Sequence, residues 1–392
     1  MQIKALVSVL LLSFITSNSL RAFKESNFDY KAYIEGFGYT LETYEVTTED
    51  DYINTVWHLV KNSPTSNASS KVVFFQHGLL DTAWTWFQLK ENSIPFLLGN
   101  EGHDVWLGNS RGNIFSFKHK TFDPSDINGK YWDFCMDEKA KYDIPAFVSF
   151  VKQKTGAKKI SYIGHSQGTT IFLMKYMSDP TWIEANVENF VALGTVPNLK
   201  YSQLSPLKLI EHLYSLIKLV IPIKDIAHLS EKVRNLVAKF AKNFPNISGS
   251  LFEKFVALTP SHRTDYNELY KFMYFYPGGT SKKNLLHWSQ IYIAKKLVYY
   301  NPDAENEGSG SESDDYKAYD INVIKKWKIN SLVARTDDDT LSTYQDVTEL
   351  YEIVENKDIF HLIDLQNYNH ADCIMAESAI KDIFEKIINF IK

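Results

Sequence analysis

Short apolar runs alternate with stretches of helical spacing along most of this chain, and the alternation lapses once, between about 197 and 285. Val72 to Gln76 is a compact apolar run that predicts a strand and ends in His77-Gly78-Leu79-Leu80. Asp104 to Leu107 predicts another, followed by the polar turn Gly108-Asn109-Ser110-Arg111-Gly112-Asn113. Residues 137–154 carry apolar positions at helical spacing, Ile160 to Ile163 is a third strand, and Phe190 to Leu193 a fourth. Strands alternating with helices in this way argue for βαβ units and a mostly parallel sheet.

In the interrupted region Leu207, Ile210, Leu213, Ile217 and Val220 are spaced by three or four, and Val233, Leu236, Val237, Phe240 and Phe244 make a second stripe. Both predict amphipathic helices, and a helical cap inserted into an α/β core accounts for them. Beyond it the α/β pattern returns, with Ser331 to Ala334 and Ile359 to Leu365 as strands, Tyr344 to Val354 as a helix, and a closing helix over 376–391. The expected division is a core over 20–196, the cap or lid over 197–285, and the rest of the core over 286–392, where 301–316 is an acidic solvated loop.

The N-terminus adds a different signal. Lys4 precedes an apolar stretch from Ala5 to Ile15, and small residues with Ser17 and Ser19 follow, so residues 1–19 read as a cleaved secretory signal peptide. The stretch is too short for a membrane span, which needs about 20 residues, and Lys218 interrupts Leu213 to Ile223. No transmembrane span is expected. Export makes Asn67 (Asn-Ala-Ser) and Asn246 (Asn-Ile-Ser) candidate glycosylation sites on exposed loops.

Composition narrows the picture. At 392 residues, 44% hydrophobic and 14% aromatic, the chain can bury a large core. Its net charge of −5 supplies no basic surface, so no nucleic-acid partner is expected. Cys135 and Cys373 are the sole cysteines, too few for a disulfide framework, and are expected as buried thiols rather than a bridge. The histidines form no ligand pattern with cysteine or glutamate, so no metal and no other cofactor is expected.

The candidate chemistry centres on Gly164-His165-Ser166-Gln167-Gly168, where a strand breaks and helix-compatible residues resume. This is the sequence form of a nucleophile elbow. A serine hydroxyl is a weak nucleophile near neutral pH, so it is held on a sharp turn where a histidine can take its proton. Gly164 and Gly168 give the turn room. Such a pentad arises by chance roughly 0.1 times in a chain this long at average composition, so its partners must decide. In an elbow fold the acid and the histidine follow in that order, on loops after late strands. Arg335-Thr336-Asp337-Asp338-Asp339-Thr340 follows one late strand, and Tyr368-Asn369-His370-Ala371-Asp372 follows the next. His370 is the expected base, an aspartate of the earlier loop its orienter. Leu79 and Gln167 stand where the two oxyanion-hole amides belong. His77 and His165 are expected to support the site by hydrogen bonds, and His287 with Trp288 to pack the cap against the core.

These residues lie within longer blocks that resemble the acid lipase family, typified by gastric lipase and lysosomal acid lipase. The blocks are Tyr44-Glu45-Val46-Thr47-Thr48-Glu49-Asp50, Phe75-Gln76-His77-Gly78-Leu79-Leu80, Gly102-His103-Asp104-Val105-Trp106-Leu107-Gly108-Asn109-Ser110-Arg111-Gly112-Asn113 and Asp137-Glu138-Lys139-Ala140-Lys141-Tyr142-Asp143. The pentad, Gly279-Thr280-Ser281, His287-Trp288 and Tyr368-Asn369-His370 complete them. The resemblance runs from about residue 30 to the end. It implies an α/β-hydrolase fold with an inserted helical lid, Ser166 as nucleophile, His370 as base, and Leu79 and Gln167 as oxyanion donors. The acid loop departs from the family's Gly-Gly-Asn/Lys-Asp-Leu-Leu-Ala-Asp-Pro. Counting back from the shared Gln345-Asp346-Val347 puts the acid at Asp339, with Asp337 the alternative.

The implied activity is a lipase hydrolysing esters of long-chain fatty acids, triacylglycerol or cholesteryl ester, through an acyl-enzyme at a lipid–water interface. The implied location is the secretory pathway, secreted or lysosomal. Two other readings fit the residues: an esterase for small soluble esters, and an idle lipid-binding protein on the same fold, against which intact Ser166 and His370 argue.

Overall fold

A computed structural model describes residues 28–63, 70–202, 223–253, 256, 264–303 and 316–392. Its main sheet has eight strands in the order β1-β2-β4-β3-β5-β6-β9-β10. These are β1 (Tyr39–Thr47), β2 (Ile53–Lys61), β3 (Val72–Gln76), β4 (Asp104–Asn109), β5 (Ile160–His165), β6 (Val187–Leu193), β9 (Asn330–Thr336) and β10 (Phe360–Leu365). From β4 through β3, β5, β6 and β9 to β10 every pairing is parallel, and β1 and β2 extend the sheet antiparallel at one edge.

Side-chain alternation splits the core into two layers. On β3, Phe74 packs on one face with Trp106, Phe147, Tyr162, Phe172 and Phe190, while Val73 and Phe75 face the other with Trp57, Val105, Ile163 and Val191. Because both faces are covered, the middles of the central strands, such as Val73–Phe75, Tyr162–Ile163 and Phe190–Leu193, are apolar. That burial stacks β3 and β5 so that the loops after Gln76 and His165 emerge together at one end of the sheet.

The expected elements occur, with shifted ends. The strands after Leu107 and Ile163 run on through Gly108-Asn109 and Gly164-His165, which still pair with neighbours. The helix expected over 137–154 is broken: a wide π-type turn over Lys139–Asp143 precedes the helix Ile144–Thr155. Pro145 has no N–H and its ring crowds the carbonyl one turn back, so a regular helix cannot run through it. Likewise the last helix starts late, as a π-type turn over Ile380–Phe384 and a helix Glu385–Ile391. The hairpin β1–β2 has no counterpart among the expected strands, because β1 buries only Tyr39, Leu41 and Val46 among polar residues.

In the interrupted region a two-stranded ribbon pairs β7 (Asp225–Ile226) with β8 (Thr280–Ser281), and between them lie the helices Glu231–Asn243, Pro245–Phe252 and Leu269–Met273. The second sequence stripe faces the core only in part, with Val233 and Val237 half-buried. Ala238 and Ala241 are the buried positions of Glu231–Asn243, whereas Leu236, Phe240 and Phe244 are exposed, as is Ile247 on the next helix. Asn246 is exposed too, in the first turn of that helix rather than on a loop. The signal segment, Asn67, the stripe from Leu207 to Val220 and most of the acidic loop lie outside the described residues. Cys135 and Cys373 are buried free thiols. Among the described residues no helix is long and apolar enough to cross a membrane.

Candidate active site

β5 ends at His165, the helix Gln167–Ser178 begins at once, and Ser166 alone makes the turn, with φ +53° and ψ −122°. A side chain in that region is strained, so the surroundings must hold it. Ser166 N donates to Leu193 O at 3.0 Å, and its carbonyl accepts from Thr169 N at 2.8 Å and Thr169 Oγ1 at 2.7 Å. The turn is also closely packed. A Cβ on Gly168 would lie 2.4 Å from the Gln76 carbonyl oxygen, and one on Gly164 would lie 3.0 Å from the Gly168 backbone.

Loops after β9 and β10 bring Asp339 and His370 to this turn. Ser166 Oγ donates to His370 Nε2 at 2.8 Å, and His370 Nδ1 donates to Asp339 Oδ2 at 2.7 Å. All three are buried. The other carboxylate oxygen, Asp339 Oδ1, accepts from Leu341 N at 2.9 Å and Ser342 N at 2.8 Å. Burial pushes the Asp339 carboxyl up, but the charge on His370 and these hydrogen bonds outweigh it and hold the pKa below the usual value. An ionised Asp339 fixes the His370 proton on Nδ1 and leaves Nε2 free to accept. Asp337 is placed elsewhere: its Oδ1 accepts from Asn367 N at 2.6 Å, bracing the turn that precedes His370.

The loop after β3 passes beside Ser166. A Cβ on Gly78 would stand 3.1 Å from Ser166 Cβ and 3.5 Å from Ser166 Oγ, which brings Leu79 alongside. His77 holds this loop by donating from Nδ1 to Gly78 O at 2.8 Å, while its Nε2 accepts from Ser110 N at 3.0 Å. Burial lowers its pKa to about 3, so the ring is neutral in this role. At the far end Gly278 N donates to Leu80 O at 2.6 Å. Opposite Leu79, Gln167 is the first residue of the elbow helix, whose opening amides have no intrahelical acceptor. The loop at Gly78 and the helix start at Gln167 thus flank Ser166.

His165 donates from Nε2 to His370 O at 3.1 Å, and burial, then the charge of His370, lowers its pKa to about 3. It therefore props up the base's own loop. His287 and Trp288 lie on the helix Lys282–Ala294, which follows the ribbon. His287 Nε2 donates to Val298 O at 2.7 Å, and Trp288 Nε1 reaches the elbow, donating to Gln167 Oε1 at 2.8 Å. Cys135, Asp137 and His287 bring ligand-type atoms within 4.8 Å of one another. Of these, Asp137 accepts from Tyr319 Oη at 2.6 Å and Tyr300 N at 2.8 Å, and His287 Nε2 is engaged by Val298 O.

Residue-by-residue reading missed the ion network around the buried Arg111. Arg111 pairs with Asp50 at 2.6 Å and with Asp143 at 2.7 Å, tying together three of the sequence blocks quoted above. Asn284, which joins Trp288 at Gln167 Oε1 from 2.9 Å, was missed as well.

A family model described as a partial α/β-hydrolase lipase region matches residues 30–90, and one described as the α/β hydrolase fold matches residues 71–221. Lipase member K of Homo sapiens is 32% identical over 370 residues, covering 93% of this chain and 90% of that protein. Gastric triacylglycerol lipase of Rattus norvegicus is also 32% identical, with 93% and 92% covered. Among solved structures, a proposed lipase of Sulfolobus solfataricus aligns at TM-score 0.55 and 14% identity over 90% of this chain and 94% of that one. A proposed lipase of Acinetobacter baumannii aligns at TM-score 0.53 and 11% identity, covering 94% and 99%. At these identities the two structures speak to the fold alone.

Proposed function

We propose, for a chain that belongs to the acid lipase family of gastric triacylglycerol lipase and lipase member K, that Ser166, His370 and Asp339 carry its catalysis. The protein is a carboxylic ester hydrolase of the lipase type. The observation that carries the residue assignment is the unbroken chain of hydrogen bonds from Ser166 Oγ through His370 to Asp339.

Ser166 Oγ attacks the ester carbonyl carbon as its proton passes to His370 Nε2, and Asp339 stabilises the resulting imidazolium. The carbonyl oxygen becomes an oxyanion facing the N–H groups of Leu79 and Gln167, each such donor typically contributing about 2.7 to 4 kcal/mol. His370 then gives its proton to the alcohol oxygen, which leaves. A water attacks the acyl-serine, passes its proton to His370, and the fatty acid departs as Ser166 regains its hydrogen.

The substrate proposed is an ester of a long-chain fatty acid, triacylglycerol or cholesteryl ester, taken from a lipid surface. Leu236, Phe240, Phe244 and Ile247, exposed on the helices of the interrupted region, support that reading. Under it, 197–285 is the lid domain, 1–19 a signal peptide, and Asn67 and Asn246 carry glycans in a secreted or lysosomal product. The competing activity is hydrolysis of small soluble esters. Rates on a series of acyl-chain lengths, measured above and below each ester's solubility limit beside a Ser166→Ala control, separate the two. A steady fall in rate with chain length and no gain on emulsified substrate would overturn the lipid assignment.

A further inference from the structure

We infer that Asn284 and Trp288 are positioning residues for the oxyanion hole, acting through the side chain of Gln167. The inference rests on the Ser166 reading above. An oxyanion donor works only if its N–H already points where negative charge will develop, because any reorganisation during the reaction cancels its advantage. Gln167 is the first residue after a strained turn, where its own helix does least to fix it. Its side chain supplies the missing constraint. Gln167 Oε1 accepts from Asn284 Nδ2 at 2.9 Å and from Trp288 Nε1 at 2.8 Å, so both carbonyl lone pairs are filled.

The two donors are four residues apart on one helix and so project from a single face. All three side chains are buried. The helix that carries the donors is itself anchored. Ser281 Oγ accepts from Asn284 N at 3.0 Å and donates to Phe134 O, while Lys283 pairs with Glu138 at 3.0 Å. Immediately before it, Thr280–Ser281 pairs with Asp225–Ile226, and Lys282 N donates to Lys224 O at 2.8 Å. Losing either donor leaves the Gln167 carbonyl with a buried, half-filled acceptor. The side chain then shifts, and the backbone amide on the same Cα turns with it.

The test uses the full-length protein with Trp288→Phe, which keeps most of the ring, and Asn284→Leu, which keeps the branched shape without the amide. Each should lower kcat about tenfold on a soluble ester with KM within about twofold of wild type. Each should also weaken inhibition by an alkyl boronic acid, which forms a tetrahedral adduct on serine, about tenfold, while a non-reactive ether analogue of the ester binds as before. In a Gln167→Met background, which has no carbonyl to hold, Trp288→Phe should add nothing. Unchanged kcat and boronate affinity in both folded variants, with only the melting temperature lowered, would assign the pair to packing and overturn the inference. Labelling by a fluorophosphonate separates this from failure of the parent reading. A wild-type protein that does not label at Ser166 refutes the triad; a labelled protein with unaffected variants refutes the positioning role alone.

Discussion

Asp339 and His370 meet at 2.7 Å, Oδ2 to Nδ1, although 31 residues and a strand separate them in the chain. The carboxylate is buried and doubly bonded to backbone amides, so it can neither rotate away nor be replaced by water. Asp339→Asn would present an amide to Nδ1 and favour the wrong imidazole tautomer, leaving Nε2 unable to accept from Ser166. Turnover of a soluble ester is expected to fall about 10⁴-fold with KM little changed. Asp337→Asn should keep turnover within a few-fold, since the Asp337 carboxylate accepts from the Asn367 amide while His370 Nδ1 is held by Asp339. Steady-state kinetics on both variants check this, and reversed sensitivities would transfer the role to Asp337.

The elbow trades stability for reach. Ser166 holds φ +53° and ψ −122°, a conformation that costs a residue with a Cβ on the order of 1–3 kcal/mol and glycine much less. Ser166→Gly and Ser166→Ala both remove the hydroxyl and should both be inactive. Urea unfolding should find the glycine variant more stable than the alanine variant by about 1 kcal/mol, which isolates the backbone strain. Gly168→Ala is expected to go the other way and lose several kcal/mol, because its Cβ would fall 2.4 Å from a backbone oxygen.

How much of this could be read from residues alone follows from what kind of interaction fixes each part. β3 and the helix Tyr344–Ile353 match their expected spans to within a residue, since burial on one or both faces writes a period into the sequence. Ser166 and His370 stand out as site candidates because a turn between strand and helix and a loop after a late strand have local signatures. The carboxylate that meets His370 is less legible: three consecutive aspartates occupy its loop, and only register against Gln345-Asp346-Val347 points to Asp339. Helix Glu231–Asn243 was found by its stripe, but the stripe could not say which way it faced, and its large apolar residues point to solvent. Gln167 and Asn284 are 117 positions apart, and no periodicity reports a contact of that range.

Stability should carry the imprint of a buried acid in the loop after β3. Asp81 follows Leu80, is buried, and has its pKa pushed up by burial to about 7 from 3.8, against the opposing hydrogen bond from Thr82 N at 2.8 Å. Between those values the folded protein keeps a proton that the unfolded chain releases, so this group's contribution to stability falls as pH rises from about 4 to 7 and is level above that. His77 and His165 run the opposite way. Their folded values near 3 lie below 6.5, so their contribution is lost as pH falls through that window. The total is therefore a contest, and a difference measurement isolates one side. Asp81→Asn should gain on wild type progressively from pH 4 to pH 7, reaching at most about 4 kcal/mol, since one pKa unit is about 1.36 kcal/mol. Denaturant midpoints at pH 4.5, 6 and 8 check it, and a constant difference across that range would mean that Asp81 titrates normally.

The exposed stripe predicts how the enzyme meets its substrate. Phe240 and Phe244 are 43% and 50% exposed, and their rings pack on each other at 5.1 Å. Burying the exposed halves of both rings in lipid would contribute about 2 kcal/mol in all, taking full burial of one such side chain as about 1.5–3 kcal/mol. That corresponds to a factor of roughly 30 in partitioning, since 1.4 kcal/mol is tenfold. Lys232, Lys239 and Lys242 on the same helix add attraction to any surface that carries fatty-acid or phospholipid charge. The double variant Phe240→Ser, Phe244→Ser should lose about tenfold or more on an emulsified long-chain ester yet keep its kcat/KM on a soluble short-chain ester, because both rings are exposed whereas Ser166 is buried. Asn246 sharpens the test. A glycan there would stand beside Phe244 and Ile247, so removing it should raise the emulsion rate and leave the soluble rate alone. If the double variant loses both rates equally, the stripe belongs to the structure of the site and not to contact with lipid.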